Sequence, residues 1–175
     1  MRDLTNRENI VELMRFFGRR IRREVRVYFT GGTTAVLLGW RDSTVDVDLQ
    51  FEPEIDEFFR AIPEIKEKLK INIELAAPSD FIPPLPGWQD RCKYIGKEGK
   101  VSFFHYDPYS QALSKIERRH EQDILDVNSM IESGLVEREK LFNLFQQVEP
   151  EIHRYPAIDP KSFGANVRKV CFPNS

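Results

Sequence analysis

Asp46 and Asp48 stand one residue apart in the run Val45-Asp46-Val47-Asp48-Leu49-Gln50-Phe51. Strict alternation of apolar and polar residues is the period of a half-buried strand. Val45, Val47, Leu49 and Phe51 share the buried face, which leaves Asp46, Asp48 and Gln50 on the other. Two carboxylates on one face cannot enter a core uncompensated. A hard divalent cation compensates them: Mg²⁺ takes oxygen ligands, often one or two carboxylates plus the phosphates of a substrate. An Asp-x-Asp pair is also the pattern of a plain solvated strand face, so a second feature has to decide.

Gly31-Gly32 supplies one. Residues 25–30 form a short β-rich run that ends abruptly at the two glycines, and 33–38 read as a short apolar helix stopped by Gly39. Glycines at a strand-to-helix junction let the backbone approach a ligand closely. The amides and dipole at a helix start suit a phosphate, and Thr33 and Thr34 add hydroxyls there. Two such features on adjacent elements point to a site for a divalent metal, Mg²⁺ or Mn²⁺, and a phosphate.

The elements that must position these residues are legible. Thr5-Asn6-Arg7-Glu8 reads as a capping box, opening a helix over about 6–22 in which Ile10, Leu13, Met14, Phe17 and Ile21 recur at helical spacing. Its basic end, Arg19-Arg20-Ile21-Arg22-Arg23, suits the C-terminal end of the helix dipole. After the strand at 45–51, a helix is expected from Pro53 to Leu69 with a bend at Pro63. A further strand follows at 71–75, where Ile71, Ile73 and Leu75 alternate with Asn72 and Glu74. Residues 76–88 carry four prolines and read as a stiffened loop. Two strands near 92–95 and 101–106 make a hairpin. Asp107-Pro108 is a helix start, and helical pattern runs over 109–132, broken near Arg119-His120 and stopped at Gly134. Further helices are expected over 137–148 and from Asp159. This order gives an α/β (α+β) sheet with a C-terminal helical part. Residues 1–106 are the α/β core, and 107–175 are a helical region packed on it.

Composition bounds the rest. With 41% hydrophobic and 31% charged residues the chain can fill a core, and its thirteen Phe predict an aromatic-rich one. A net charge of −2 gives no bulk attraction to nucleic acid or membrane. Cys92 and Cys171 fit no metal-ligand or disulfide spacing, so two thiols in a reducing compartment are expected. The charged N-terminus has no signal-like apolar run and no stretch has membrane-span length. A cytoplasmic protein without membrane partners is therefore expected.

Tyr28-Phe29-Thr30-Gly31-Gly32-Thr33-Thr34-Ala35, followed by Ser43-Thr44-Val45-Asp46-Val47-Asp48-Leu49, resembles the signature of the nucleotidyltransferase superfamily related to DNA polymerase beta. That signature is a Gly-Gly or Gly-Ser turn, a spacer, and Asp-hydrophobic-Asp-hydrophobic. Over about residues 25–133 the chain looks like a prokaryotic subgroup close to the toxin-type nucleotidyltransferases of abortive-infection systems. The segments 75–88 and 107–118 share that likeness. The resemblance implies a nucleotidyltransferase-fold mixed β-sheet flanked by helices, with Asp46 and Asp48 as metal ligands and catalytic residues. It assigns Gly31, Gly32 and Thr33 to the triphosphate.

The resemblance also implies a third acid on a neighbouring strand. Glu74 matches best, although the family more often has Asp there, and Asp80 is the alternative. Toxin-type relatives carry a helix Lys, then Arg residues, then Asp, and Lys115, Arg118, Arg119, Asp123 and Asp126 follow that order. Lys115 and Arg119 would hold the triphosphate and Asp123 would fix the arginine. Read without the resemblance, the same spacing is an exposed helix with intrahelical ion pairs.

The expected activity is Mg²⁺-dependent transfer of a nucleoside monophosphate from an NTP to a hydroxyl of RNA (tRNA), protein or a small molecule, within a toxin–antitoxin pair. The alternative is a non-catalytic nucleotide-binding or antitoxin-partner module of the same fold.

Overall fold

The computed structural model describes residues 3–175. Met1 and Arg2, at the start of the charged N-terminus, lie outside the described residues. The chain divides into two compact units: residues up to Ala77 together with Cys92–Tyr106, and Pro78–Arg91 together with Asp107–Ser175.

The first unit runs β1 (Thr5–Asn6), α1 (Arg7–Arg20), β2 (Val25–Thr30), α2 (Gly32–Leu38), β3 (Ser43–Thr44), β4 (Asp46–Glu52), α3 (Asp56–Leu69), β5 (Asn72–Leu75), β6 (Lys93–Glu98) and β7 (Val101–His105). Five strands make a mixed sheet in the order β5-β4-β2-β7-β6. β2 is antiparallel to β4 and parallel to β7, and β4 is parallel to β5. The fold is thus a mixed α/β one, as the alternating pattern predicts.

One face of the sheet is buried by α1 and α3. Val27, Phe29, Val47, Leu49, Phe51 and Phe103 point into that layer. Phe58 of α3 stacks on Phe17 at 4.3 Å and on Phe51 at 3.9 Å between ring centroids. The Phe-rich composition is used here, each buried ring contributing about 1.5–3 kcal/mol. The opposite face of β4 carries Asp46, Asp48 and Gln50, so burying Val47, Leu49 and Phe51 fixes where both carboxylates point.

Several expectations change at element ends. The α1 capping box is built by Asn6 and Asn9, not by Thr5 and Glu8: each asparagine side chain accepts from the other's backbone N–H, at 2.9 and 3.0 Å. Thr5 is buried and pairs across to Thr44, which moves the cap one residue on. The helix stops at Arg20, where Ile21 turns extended. Pro53 follows a cis peptide bond, and α3 begins only at Asp56, after the buried Ile55. It continues through Pro63 to an αL cap at Lys70.

In the second unit a 3-10 turn (Pro78–Asp80) and α4 (Trp88–Arg91) occupy the Pro-rich segment. There follow α5 (Pro108–Arg118), α6 (Glu121–Glu132), α7 (Arg138–Val148), a 3-10 stretch (Glu149–Arg154) and α8 (Pro160–Cys171). Asp107 caps α5 through Tyr109 and Ser110 and is itself held by a bidentate pair from Arg91, at 3.1 and 2.9 Å. The break predicted near Arg119-His120 separates α5 from α6. Among the described residues no helix is long and apolar enough to cross a membrane, and no disulfide joins Cys92 and Cys171.

Candidate active site

The site grows from the register of three strands. Asp48 of β4 is level with Thr30 of β2 on one side and with Glu74 of β5 on the other. Asp46, two residues earlier, is level with Asn72 of β5. Asp46 and Asp48 are half-buried and Glu74 is exposed. Asp46, Asp48 and Glu74 therefore share the polar face of the sheet, with Asp48 level with the end of β2 where the chain turns into α2.

The turn itself is Gly31, with φ 63° and ψ −135°. A Cβ on this residue would stand 2.9 Å from Asp48 Oδ2. Glycine is required twice over: for the positive φ and for the carboxylate lying against its α-carbon. Gly32 has a different reason. A Cβ there would meet Thr44 Oγ1 at 2.2 Å, so its close approach is to β3. Thr33 Oγ1 is fully buried and has no hydrogen-bond partner. Among the described residues the buried side-chain polar atoms without a partner are this hydroxyl, in the first turn of α2, and Gln50 Oε1.

Asn72 is the residue the sequence did not single out. Its Nδ2 donates to Asp46 Oδ1 at 2.6 Å and to Glu74 Oε1 at 3.3 Å. One amide thus ties two of the three carboxylates. Only the parallel β4–β5 register reveals this, because the partners are 26 residues apart.

Beneath the turn, His105 Nδ1 lies 3.0 Å from Thr34 Oγ1, and that hydroxyl lies 3.4 Å from the Phe29 carbonyl. Burial pushes the His105 pKa down to about 4, so the ring is neutral at pH 7 and acts as a hydrogen-bonding strut.

The two cationic candidates belong to the second unit. Lys115 is buried, its Nζ 2.8 Å from Asp126 Oδ2 and 3.6 Å from Asp123 Oδ1. Its charge is already matched by two carboxylates. Arg119 is not on the helix face: α5 ends at Arg118, and Arg119 is an αL cap with φ 60°. The expected i,i+4 contact between Arg119 and Asp123 is therefore replaced. Arg118 makes the bidentate pair with Asp123, at 2.8 and 2.6 Å, while the Arg119 guanidinium bonds Asn166. Burial opposes ionisation of Asp123, but Arg118 and Lys115 outweigh it and hold its pKa below the usual range. Asp80 is exposed, in the 3-10 turn of that unit.

Among the described residues no group of three or more His, Cys, Asp or Glu is arranged to hold a metal by itself. Asp46 and Asp48 remain an oxygen donor pair of the kind that Mg²⁺ shares with substrate phosphates. The glycine against Asp48 keeps that approach open.

A protein-family model described as "Nucleotidyltransferase of unknown function (DUF6036)" matches residues 10–158. The chain belongs to this family. The matched range takes in the Gly31 turn, β4, β5 and α5–α7. It supports the likeness to the nucleotidyltransferase superfamily read from the motifs. No curated protein and no solved structure matches the chain.

Proposed function

We propose that this nucleotidyltransferase-family chain transfers a nucleoside monophosphate from an NTP to an acceptor hydroxyl. The observation that carries the proposal is the Asp48 carboxylate set against Gly31, with Asp46 beside it on the same strand face.

Asp46 and Asp48 would hold Mg²⁺, which when bound offsets the charge of the triphosphate and polarises the phosphoryl group under attack. The Gly31 turn lets the phosphates approach the backbone at the start of α2, and Thr33 Oγ1 is a spare donor in that turn. Asn72 holds Asp46 in one orientation through its 2.6 Å hydrogen bond. Glu74, exposed beside them, accepts the proton of the acceptor hydroxyl. The acceptor oxygen bonds to the α-phosphorus, the bond to the bridging oxygen breaks, and pyrophosphate leaves. Most of the acceleration comes from positioning and fixed charge.

The acceptor is an RNA end such as that of tRNA, a protein hydroxyl or a small molecule. The likeness of segments 75–88 and 107–118 to toxin-type relatives extends the proposal to a toxin held in check by an antitoxin partner. The test incubates the full chain with Mg²⁺, each α-labelled NTP and bulk tRNA, alongside Asp46→Asn. Label moved by the wild type alone supports the reading and identifies the acceptor class. Nucleotide binding without transfer to tRNA, to itself or to added proteins and small hydroxyl compounds would replace it with the binding-module alternative.

A further inference from the structure

The second unit contains a pocket of about 180 Å³ that the site above does not use. It lies among the end of α5, α6, the start of α7 and the end of α8. Ile116, Val127, Ile131 and Val170 give it an apolar lining, and no acidic residue lines it. Its cations are Arg119, Arg138 and Lys169, with Lys115 behind them. Lys115 is neutralised by Asp126 and Asp123. The other three pair with no carboxylate among the described residues: Arg119 bonds the neutral Asn166, and Arg138 Nε donates to the Val170 carbonyl at 3.1 Å.

Helix dipoles offset these charges in part. Arg119 caps the C-terminus of α5, and Lys169 is in the last turn of α8. Arg138 opens α7 but donates to the Val170 carbonyl in the last turn of α8, so all three cations gather at helix C-termini. Three cations gathered around one apolar pocket with no acid in its lining exceed what partial dipole charges balance, and a ligand that brings its own negative charge compensates them.

We propose that this pocket binds a small anion with an apolar body about the size of one ring, its carboxylate or phosphate held by Arg138, Lys169 and Arg119. Size agrees: an apolar cavity of ~150 Å³ accommodates benzene, and the pocket offers about 180 Å³. The apolar body rests on Val127 and Ile131 while the anion stays at the cationic rim. Guanidinium groups suit either head by paired N–H donation.

The test titrates the full ¹⁵N-labelled chain with phenyl phosphate, benzoate, inorganic phosphate and benzylamine, and maps the shifted amides. The expected result is saturable binding of phenyl phosphate or benzoate, with shifts confined to the ends of α5, α7 and α8 and to α6. Tighter binding of one of these two assigns the head group. Inorganic phosphate should bind roughly tenfold more weakly and benzylamine should shift nothing in the pocket. Arg138→Leu and Lys169→Glu should each weaken binding by roughly tenfold, while Asp48→Asn leaves it unchanged. Lys169 is exposed, so its variant keeps the test decisive if Arg138→Leu fails to fold. Absence of saturable binding by both anions, equal binding of benzylamine, or shifts that survive Lys169→Glu would overturn the proposal.

Discussion

Asp48 Oδ2 lies 2.9 Å from the point where a Cβ on Gly31 would stand. The carboxylate proposed to bind metal and the backbone of the turn proposed to bind phosphate are thereby held against each other, across two neighbouring strands. Gly31→Ala adds a methyl at φ 63° and pushes Asp48 aside. The strain should lower stability by about 1–2 kcal/mol, measured by urea denaturation. Turnover should fall more, by roughly a hundredfold, because the carboxylate is displaced by about an ångström.

Asn72→Ala removes the amide that ties Asp46 to Glu74. Asn72 is at a strand edge and half-buried, so the melting temperature should move little. Metal affinity or activity should drop by roughly ten- to a hundredfold, the usual effect of losing a group that orients a ligand. Calorimetric titration with Mg²⁺ and nucleotide reads the difference. An unchanged affinity and rate would remove Asn72 from the site.

His105 gives the fold a pH dependence. Its pKa is about 4 folded against an ordinary 6.5, so the unfolded chain binds the proton first. Stability is complete above pH 6.5 and is lost as pH falls from there towards 4, by up to about 3 kcal/mol. His105→Gln should flatten this part of the profile. Denaturation midpoints at pH 5 and pH 7.5, for both proteins, make the comparison.

Lys115 and Asp126 form a buried pair at 2.8 Å. Lys115→Met takes the buried ammonium from Asp126, while Asp123 keeps its pair from Arg118, and should destabilise the chain by about 3–5 kcal/mol. Lys115→Met combined with Asp126→Leu should recover part of that loss. If Lys115→Met leaves stability intact but abolishes turnover, the lysine serves the triphosphate rather than the fold.

The parts of this structure that follow a local period were legible in the sequence. The alternation at 45–51 announced β4 and the face its aspartates share, and the glycine pair announced the turn. The break at Arg119-His120 was visible for the same local reason. What could not be read depends on partners distant in sequence. Thr5 looked like a cap, but pairing with Thr44 leaves that role to Asn6. Asn72 looked like a solvated neighbour of Glu74 until the parallel register set it level with Asp46. Arg119 and Asp123 have helical spacing, yet the αL turn at Arg119 hands the contact to Arg118. Single-sequence periodicity has no access to these relations.

The claim that the Asp46/Asp48 face holds a metal together with a nucleoside triphosphate has a direct measurement. Mn²⁺ is titrated into the full chain with and without a non-hydrolysable NTP analogue, followed by electron paramagnetic resonance, for wild type and Asp48→Asn. Nucleotide should tighten Mn²⁺ binding in the wild type, and Asp48→Asn should lose roughly ten- to a hundredfold of that affinity. Equal nucleotide-linked Mn²⁺ binding in the two proteins would contradict the claim.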